Sequence, residues 1–113
     1  MPKPFPLSSE RTYRMDSFLV PENARGAFLA RVRTTHNLLR RQPGFVQDLL
    51  LEQPAENGRF RLVTLVEWRN ADSMNDAREV IQTEHASEGF DRHEFIDRLG
   101  VSAEFASYRP ATD

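Results

Sequence analysis

Two short stretches of this chain carry apolar side chains at consecutive positions where a half-exposed strand would alternate. In Leu62-Val63-Thr64-Leu65-Val66, and again in Leu49-Leu50-Leu51, both parities are largely apolar. A sheet with one wet face alternates apolar and polar residues, whereas a sheet covered on both faces need not. The sheet built from these strands therefore needs cover on each side. With 113 residues the chain is one domain's worth, so the cover must come from few elements or from a second molecule.

The flanking elements are readable from periodicity and punctuation. Thr12 to Val20 is expected to be a strand, with Thr12, Arg14, Asp16, Phe18 and Val20 on one parity, ending at Pro21. A helix is expected from about Glu22 to Arg41. Phe28, Leu29, Val32, Thr35, His36 and Leu39 form its stripe, Arg25, Arg31, Arg33, Arg40 and Arg41 lie elsewhere, and Gln42-Pro43-Gly44 stops it. Phe45 to Gln53 and Phe60 to Arg69 read as two strands joined through Asn57-Gly58, a hairpin signal. Asn70 is a fitting N-cap for a helix carrying Met74, Ala77, Ile81 and His85 on one stripe and broken at Gly89. A short helix from about Asp91 to Leu99 closes at Gly100, and Val101 to Arg109 is the last strand.

The order β-α-β-β-α-(α)-β is the split βαβ, ferredoxin-like arrangement. It is an α+β fold with a four-stranded antiparallel sheet and its helices on one face. Two and a half helices cover one face only. The other would expose an apolar patch of roughly several hundred Å², more than soluble monomers usually tolerate. A homodimer through the helix-free face is the expected remedy, twofold pairing being the commonest closed symmetry. Residues 1–11 are expected to be an extended, proline-rich leader, with Phe5 and Leu7 able to dock it. Residues 12–109 form the domain and 110–113 a tail.

Composition narrows the function classes. A net charge of −2 and a pI near 5.9 argue against nucleic-acid binding by bulk electrostatics. No apolar run approaches the roughly 20 residues of a membrane helix. The absence of cysteine excludes disulfides, thiolate nucleophiles and cysteine-based metal sites. No apolar core of a secretory signal follows Lys3, so the cytoplasm is the expected compartment. Fourteen arginines against a single lysine, and eleven leucines against two isoleucines, read as the codon bias of a GC-rich, bacterial genome.

No phosphate loop, dinucleotide fingerprint, nucleophile elbow or zinc-protease motif is present. The histidines are His36, His85 and His93; none is paired at metal-ligand spacing, and no metal is expected. His36 and His85 both sit on inward stripes, as a base, proton shuttle or haem ligand would, or as a core histidine bonded to backbone would. Trp68 is a core aromatic or a cavity wall. Asp16, a mid-strand acid among apolar neighbours, needs a partner if it faces inward, and Arg14 on the same parity is the nearest.

The stretch Arg41-Gln42-Pro43-Gly44-Phe45-Val46, followed by Leu62-Val63-Thr64-Leu65-Val66-Glu67-Trp68-Arg69-Asn70-Ala71-Asp72 and a helix bearing His85, resembles the antibiotic biosynthesis monooxygenase domain over about residues 12–109. The resemblance implies a dimeric α+β barrel with a pocket between sheet and helices in each subunit. Some relatives oxidise polyaromatic substrates with O₂ and neither metal nor flavin, some degrade haem, and others process quorum signals. The expected function is therefore cofactor-independent oxygenation of an aromatic or electron-rich small molecule. His85 and Asp16 are the expected catalytic groups, and Trp68, His36, Phe28, Val32 and Ile81 are expected to bind substrate. A non-catalytic small-molecule-binding or accessory dimer of the same fold is the alternative, and haem degradation a weaker one. In the haem-degrading branch the site comprises an Asn on the first strand, a Trp within the second helix and a His near its end. The matching positions here are Asp16, Asp76 and His85, so only the histidine is kept. Whether His36, His85, Asp16 and Trp68 converge on one cavity discriminates between catalysis and binding alone.

Overall fold

The computed structural model describes residues 10–111. Most of the leader, with Phe5 and Leu7, and the last two residues of the tail lie outside the described residues.

Strand β1 (Thr12–Pro21) leads through a single 3₁₀ turn (Glu22–Ala24) into helix α1 (Arg25–Leu39). Strands β2 (Phe45–Glu56) and β3 (Arg59–Trp68) form the hairpin, helix α2 (Ala71–Glu88) and helix α3 (Arg92–Leu99) follow, and β4 (Ser102–Tyr108) completes the sheet. The strands are antiparallel in the order β2-β3-β1-β4. This is the expected ferredoxin-like α+β topology.

The local causes are those of the sequence. Asn57 (φ 55°) and Gly58 (φ 75°) both take left-handed backbone, as a two-residue hairpin of this twist requires. The Asn70 side chain accepts from Ser73 N at 2.8 Å, and the Asp91 side chain accepts from Glu94 N at 3.1 Å. Gly89 and Gly100 end α2 and α3 in αL conformation. Several boundaries differ from expectation: β1 includes Pro21, and β4 spans Ser102–Tyr108 rather than Val101–Arg109. The first helix starts as a 3₁₀ turn and stops at Leu39, short of Arg41. β2 continues through Pro54 to Glu56, because an edge strand tolerates a proline and the register shifts between Gln53 and Glu56. β3 spans Arg59–Trp68 rather than Phe60–Arg69.

Helices cover one face. Val20 and Leu62 are fully enclosed there, and Phe18 packs edge-on against Phe28 with ring centres 4.9 Å apart. The core has two parts. One gathers Phe18, Val20, Phe28, Leu29, Leu62 and Ile96, and the other Val66, Trp68 and Ala77 with Leu39, Phe45 and Met74 around them. Gly44 (φ 84°) lies so close to Ser73 at the start of α2 that a Cβ there would overlap the serine side chain. The Gln42-Pro43-Gly44 turn thereby fixes where α2 leaves the sheet. No helix among the described residues is long and apolar enough to cross a membrane.

Candidate active site

Between the sheet and the helices lies a cavity of about 440 Å³ lined by members of both core clusters, within the size range of small-molecule sites. Its walls are aromatic and aliphatic. Phe18 comes from β1, Phe28 and Val32 from α1, Trp68 from β3, Ile81 from α2 and Phe95 from α3. All seven residues singled out from the sequence, namely His85, Asp16, Trp68, His36, Phe28, Val32 and Ile81, line it. Strand parity brings Asp16 and Trp68 to the covered face, and the helical stripes bring the rest.

Asp16 is paired as its position demands: Arg14 Nε donates to its Oδ1 at 2.6 Å. Burial nevertheless dominates and raises the Asp16 carboxyl above its ordinary value, against the opposing pull of Arg14, Arg92 and His36. His85 stands edge-on to Phe90, with ring centres 4.8 Å apart. Burial first, then the Arg31 and Arg92 guanidinium groups, pulls its imidazole below the ordinary histidine value; Glu88 and Glu84 oppose this. The His85 ring is therefore neutral at pH 7 and can accept a proton.

His36 is held differently from the backbone-bonded core histidine considered above. Its Nδ1 meets Asp48 Oδ2 at 2.9 Å, and Arg40 Nε donates to the same oxygen at 2.9 Å. Burial alone would raise Asp48, but these two partners outweigh it and hold the carboxyl below its ordinary value. An ionised carboxylate only accepts, so Nδ1 carries the hydrogen and Nε2 is left to the cavity that His36 lines.

Several lining residues were not singled out from the sequence: Arg31, Arg78, Arg92, Thr64, Phe90 and His93. Long arginine stems reach the cavity from positions off the apolar stripes, so periodicity hides them. Arg14 was legible as the partner of Asp16. Asp48 was hidden by a register shift between Phe45 and Gln47. Phe45 packs on Trp68 and Asp48 bonds His36, both on the covered face, although alternation from Phe45 sends Asp48 to the other.

The arrangement does not fit the haem-degrading pattern. Asp76, at the position of the helical tryptophan, lies on the outer side of α2 beside Glu79 and Val80, away from the cavity. Asp16 is committed to Arg14. Among the described residues no group of three or more His, Cys, Asp or Glu side chains could hold a metal ion.

A four-stranded ferredoxin-like sheet with a cavity between it and the helices on one face defines an α+β protein with room for a small molecule. The model of the antibiotic biosynthesis monooxygenase family matches residues 13–92, and the chain belongs to that family. The fold is shared with SnoaB from Streptomyces nogalater, described as a cofactor-independent oxygenase and solved in a mutant form. Identity is 20%, coverage 92% of this chain and 96% of that one, and the TM-score 0.68. A monooxygenase candidate from Shewanella loihica matches at 18% identity over 94% and 99% of the two chains, with a TM-score of 0.68. A protein from an uncultured marine organism, described as dimeric and ferredoxin-like, matches at 10% identity over 91% and 97%, with a TM-score of 0.66. No curated protein matches the chain.

Proposed function

We propose that the cavity is the active site of a cofactor-independent monooxygenase acting on an aromatic or otherwise electron-rich small molecule. The observation that carries this reading is that His36, His85 and Asp16, from three different elements, line one cavity walled in part by aromatic rings. Membership of the monooxygenase family and likeness in fold to a cofactor-independent oxygenase support it.

In the proposed reaction neutral His85 takes a proton from an activated C–H of the substrate. The resulting carbanion is stabilised by the cationic wall and gives electrons to O₂, forming a C–O bond to a peroxide. The proton taken up by His85 is returned to the peroxide oxygen, with Asp16, held by Arg14, as the second acid–base group at the cavity wall. Loss of the second C–H proton with cleavage of the O–O bond leaves a carbonyl, and the departing hydroxide leaves as water. A CH₂ group and O₂ thus become C=O and H₂O. The chain's part is to orient, desolvate and move protons. His36, oriented by Asp48, is the second substrate-facing imidazole.

The subunit we infer to be a homodimer. Leu49 is 46% exposed, Leu51 52% and Tyr108 53% on the helix-free face, with Met15 beside them. A second copy packed on that face would cover them, in keeping with the dimeric neighbour. We further assign residues 12–109 as the functional domain and the cytoplasm as its place of action.

Oxygen uptake with polycyclic phenols that carry an activated ring CH₂ tests the reading. We expect uptake that falls by roughly 10²–10⁴-fold in a folded His85→Ala, Asp16→Ala double variant. Uptake unchanged in that variant would overturn the roles. Tight binding of these compounds with no uptake at all would favour the non-catalytic dimer.

A further inference from the structure

The charges around the cavity are lopsided. Arg14, Arg31, Arg78 and Arg92 line it against a single carboxylate, Asp16, in a chain whose net charge is −2. The arginines are not equally committed. Arg14 is spent on Asp16. Arg92 starts α3 at the surface, yet its guanidinium end lies 4.1 Å from the centre of the Phe105 ring, and its charge also acts on Asp16. Arg31 is the most telling. Its guanidinium stacks 3.5 Å from the centre of the Phe90 ring, and its Nη2 donates to Glu88 Oε2 at 3.0 Å. Its Nε is buried and has no acceptor among the described residues. A buried N–H without a partner is uncommon in a folded protein and calls for an explanation.

Resting on the reading of this cavity as a ligand site, we propose that its ligand is an aromatic carboxylate, with the acid group on Arg31 and the ring against the phenylalanine wall. The planar guanidinium fork takes a carboxylate through parallel N–H bonds. One arm of that fork already holds a carboxylate, that of Glu88, while Nε is closed off without an acceptor among the described residues and is reached by a ligand as the guanidinium turns from Glu88. A carboxylate engaging Nε completes the donor set and balances the excess cation. Glu88 competes for the same guanidinium and so sets how strongly the ligand is held. The same anion would offset the fields of Arg31 and Arg92 at His85, coupling ligand charge to the basicity of the proposed base.

Calorimetric titration of the full chain with naphthoate and with its neutral isostere naphthamide tests this. Wild type should bind naphthoate on the order of tenfold more tightly. Arg31→Gln should erase the preference. Glu88→Gln should tighten naphthoate and leave naphthamide unchanged, a result that general damage to the fold cannot imitate, and it decides the matter should Arg31→Gln not fold. In histidine-detected NMR, naphthoate but not naphthamide should raise the His85 titration midpoint. Equal affinity for the two compounds, or naphthoate binding that Glu88→Gln weakens or leaves unaltered, would overturn the inference. Oxygen uptake from neutral phenols with an activated ring CH₂, without any carboxylate preference, would remove this inference and leave the oxygenase standing. A carboxylate preference without oxygen uptake from any electron-rich compound would do the reverse.

Discussion

The two faces of the sheet are made by the same four strands, residue by alternate residue, yet each carries some of what a small domain usually keeps on the other. The helix-covered face carries Arg14, Asp16, Thr64 and Asp48 among its apolar residues. The helix-free face presents Met15, Leu49, Leu51 and Tyr108 to the outside. Charge under the helices is tolerated because it is paired: Arg14 with Asp16, and His36 and Arg40 with Asp48. The apolar outer face has no such internal answer. Its one buried acid, Glu67, accepts from Gln47 Nε2 at 2.7 Å and faces Arg11 at 3.7 Å. On the proposed function the difference divides the work: a ligand under the helices and a partner on the open face.

The contrast can be broken first at Trp68, which is 2% exposed on the covered face. Trp68→Ala should cost about 3–5 kcal/mol of stability and, in whatever fraction stays folded, weaken ligand binding. Chemical denaturation followed by far-UV circular dichroism measures the first effect. On the open face, Leu51→Glu should cost on the order of 3 kcal/mol of association by placing an unpaired charge in the interface. Sedimentation equilibrium should then show the 13.1 kDa chain rather than about twice that mass for wild type, with ligand binding intact. Between the faces, Gly44→Ala should cost roughly 1–3 kcal/mol. The left-handed backbone disfavours any side chain, and the added methyl would overlap Ser73 and displace α2. A thermal melt measures that loss.

The smallest effect is one of pH. His85 titrates below its ordinary value of 6.5 in the folded chain, so the unfolded chain binds more protons just below that pH. Its contribution to stability is complete above pH 6.5 and is lost as pH falls through the lowered folded-state value. Asp48 adds a loss of the same sign at more acid pH, below its ordinary 3.8, and Asp16 one of opposite sign in the acid range. Comparing His85→Gln with wild type across pH isolates the histidine part: the variant should lack the decline that begins near pH 6.5.

Much of this was legible in the sequence. Caps at Asn70 and Asp91, stops at Gly89 and Gly100, and the Asn57-Gly58 turn speak through local backbone chemistry, which neighbours in space do not override. The cavity's apolar wall and two of its imidazoles, His36 and His85, followed from periods of 3.6 and 2. Its cations did not. Arg31 sits off the stripe of α1 and turns inward only because Phe90 and Glu88, more than fifty positions later, draw its long stem there. The His36–Asp48 bond was concealed by a bulge, which no composition rule announces. Pairing across long sequence separation, rather than local preference, decided the polar part of the site.

The central claim, that one face serves a ligand and the other a partner, is tested most directly by methyl NMR of a single sample in two titrations. Adding naphthoate should shift Val32, Ile81 and Ile96, which line the cavity, and leave Leu49 and Leu51 in place. Dilution should shift Leu49 and Leu51 and leave the cavity methyls unmoved. Naphthoate that shifts Leu49 and Leu51 while the cavity stays silent, or dilution that moves neither set, would contradict it.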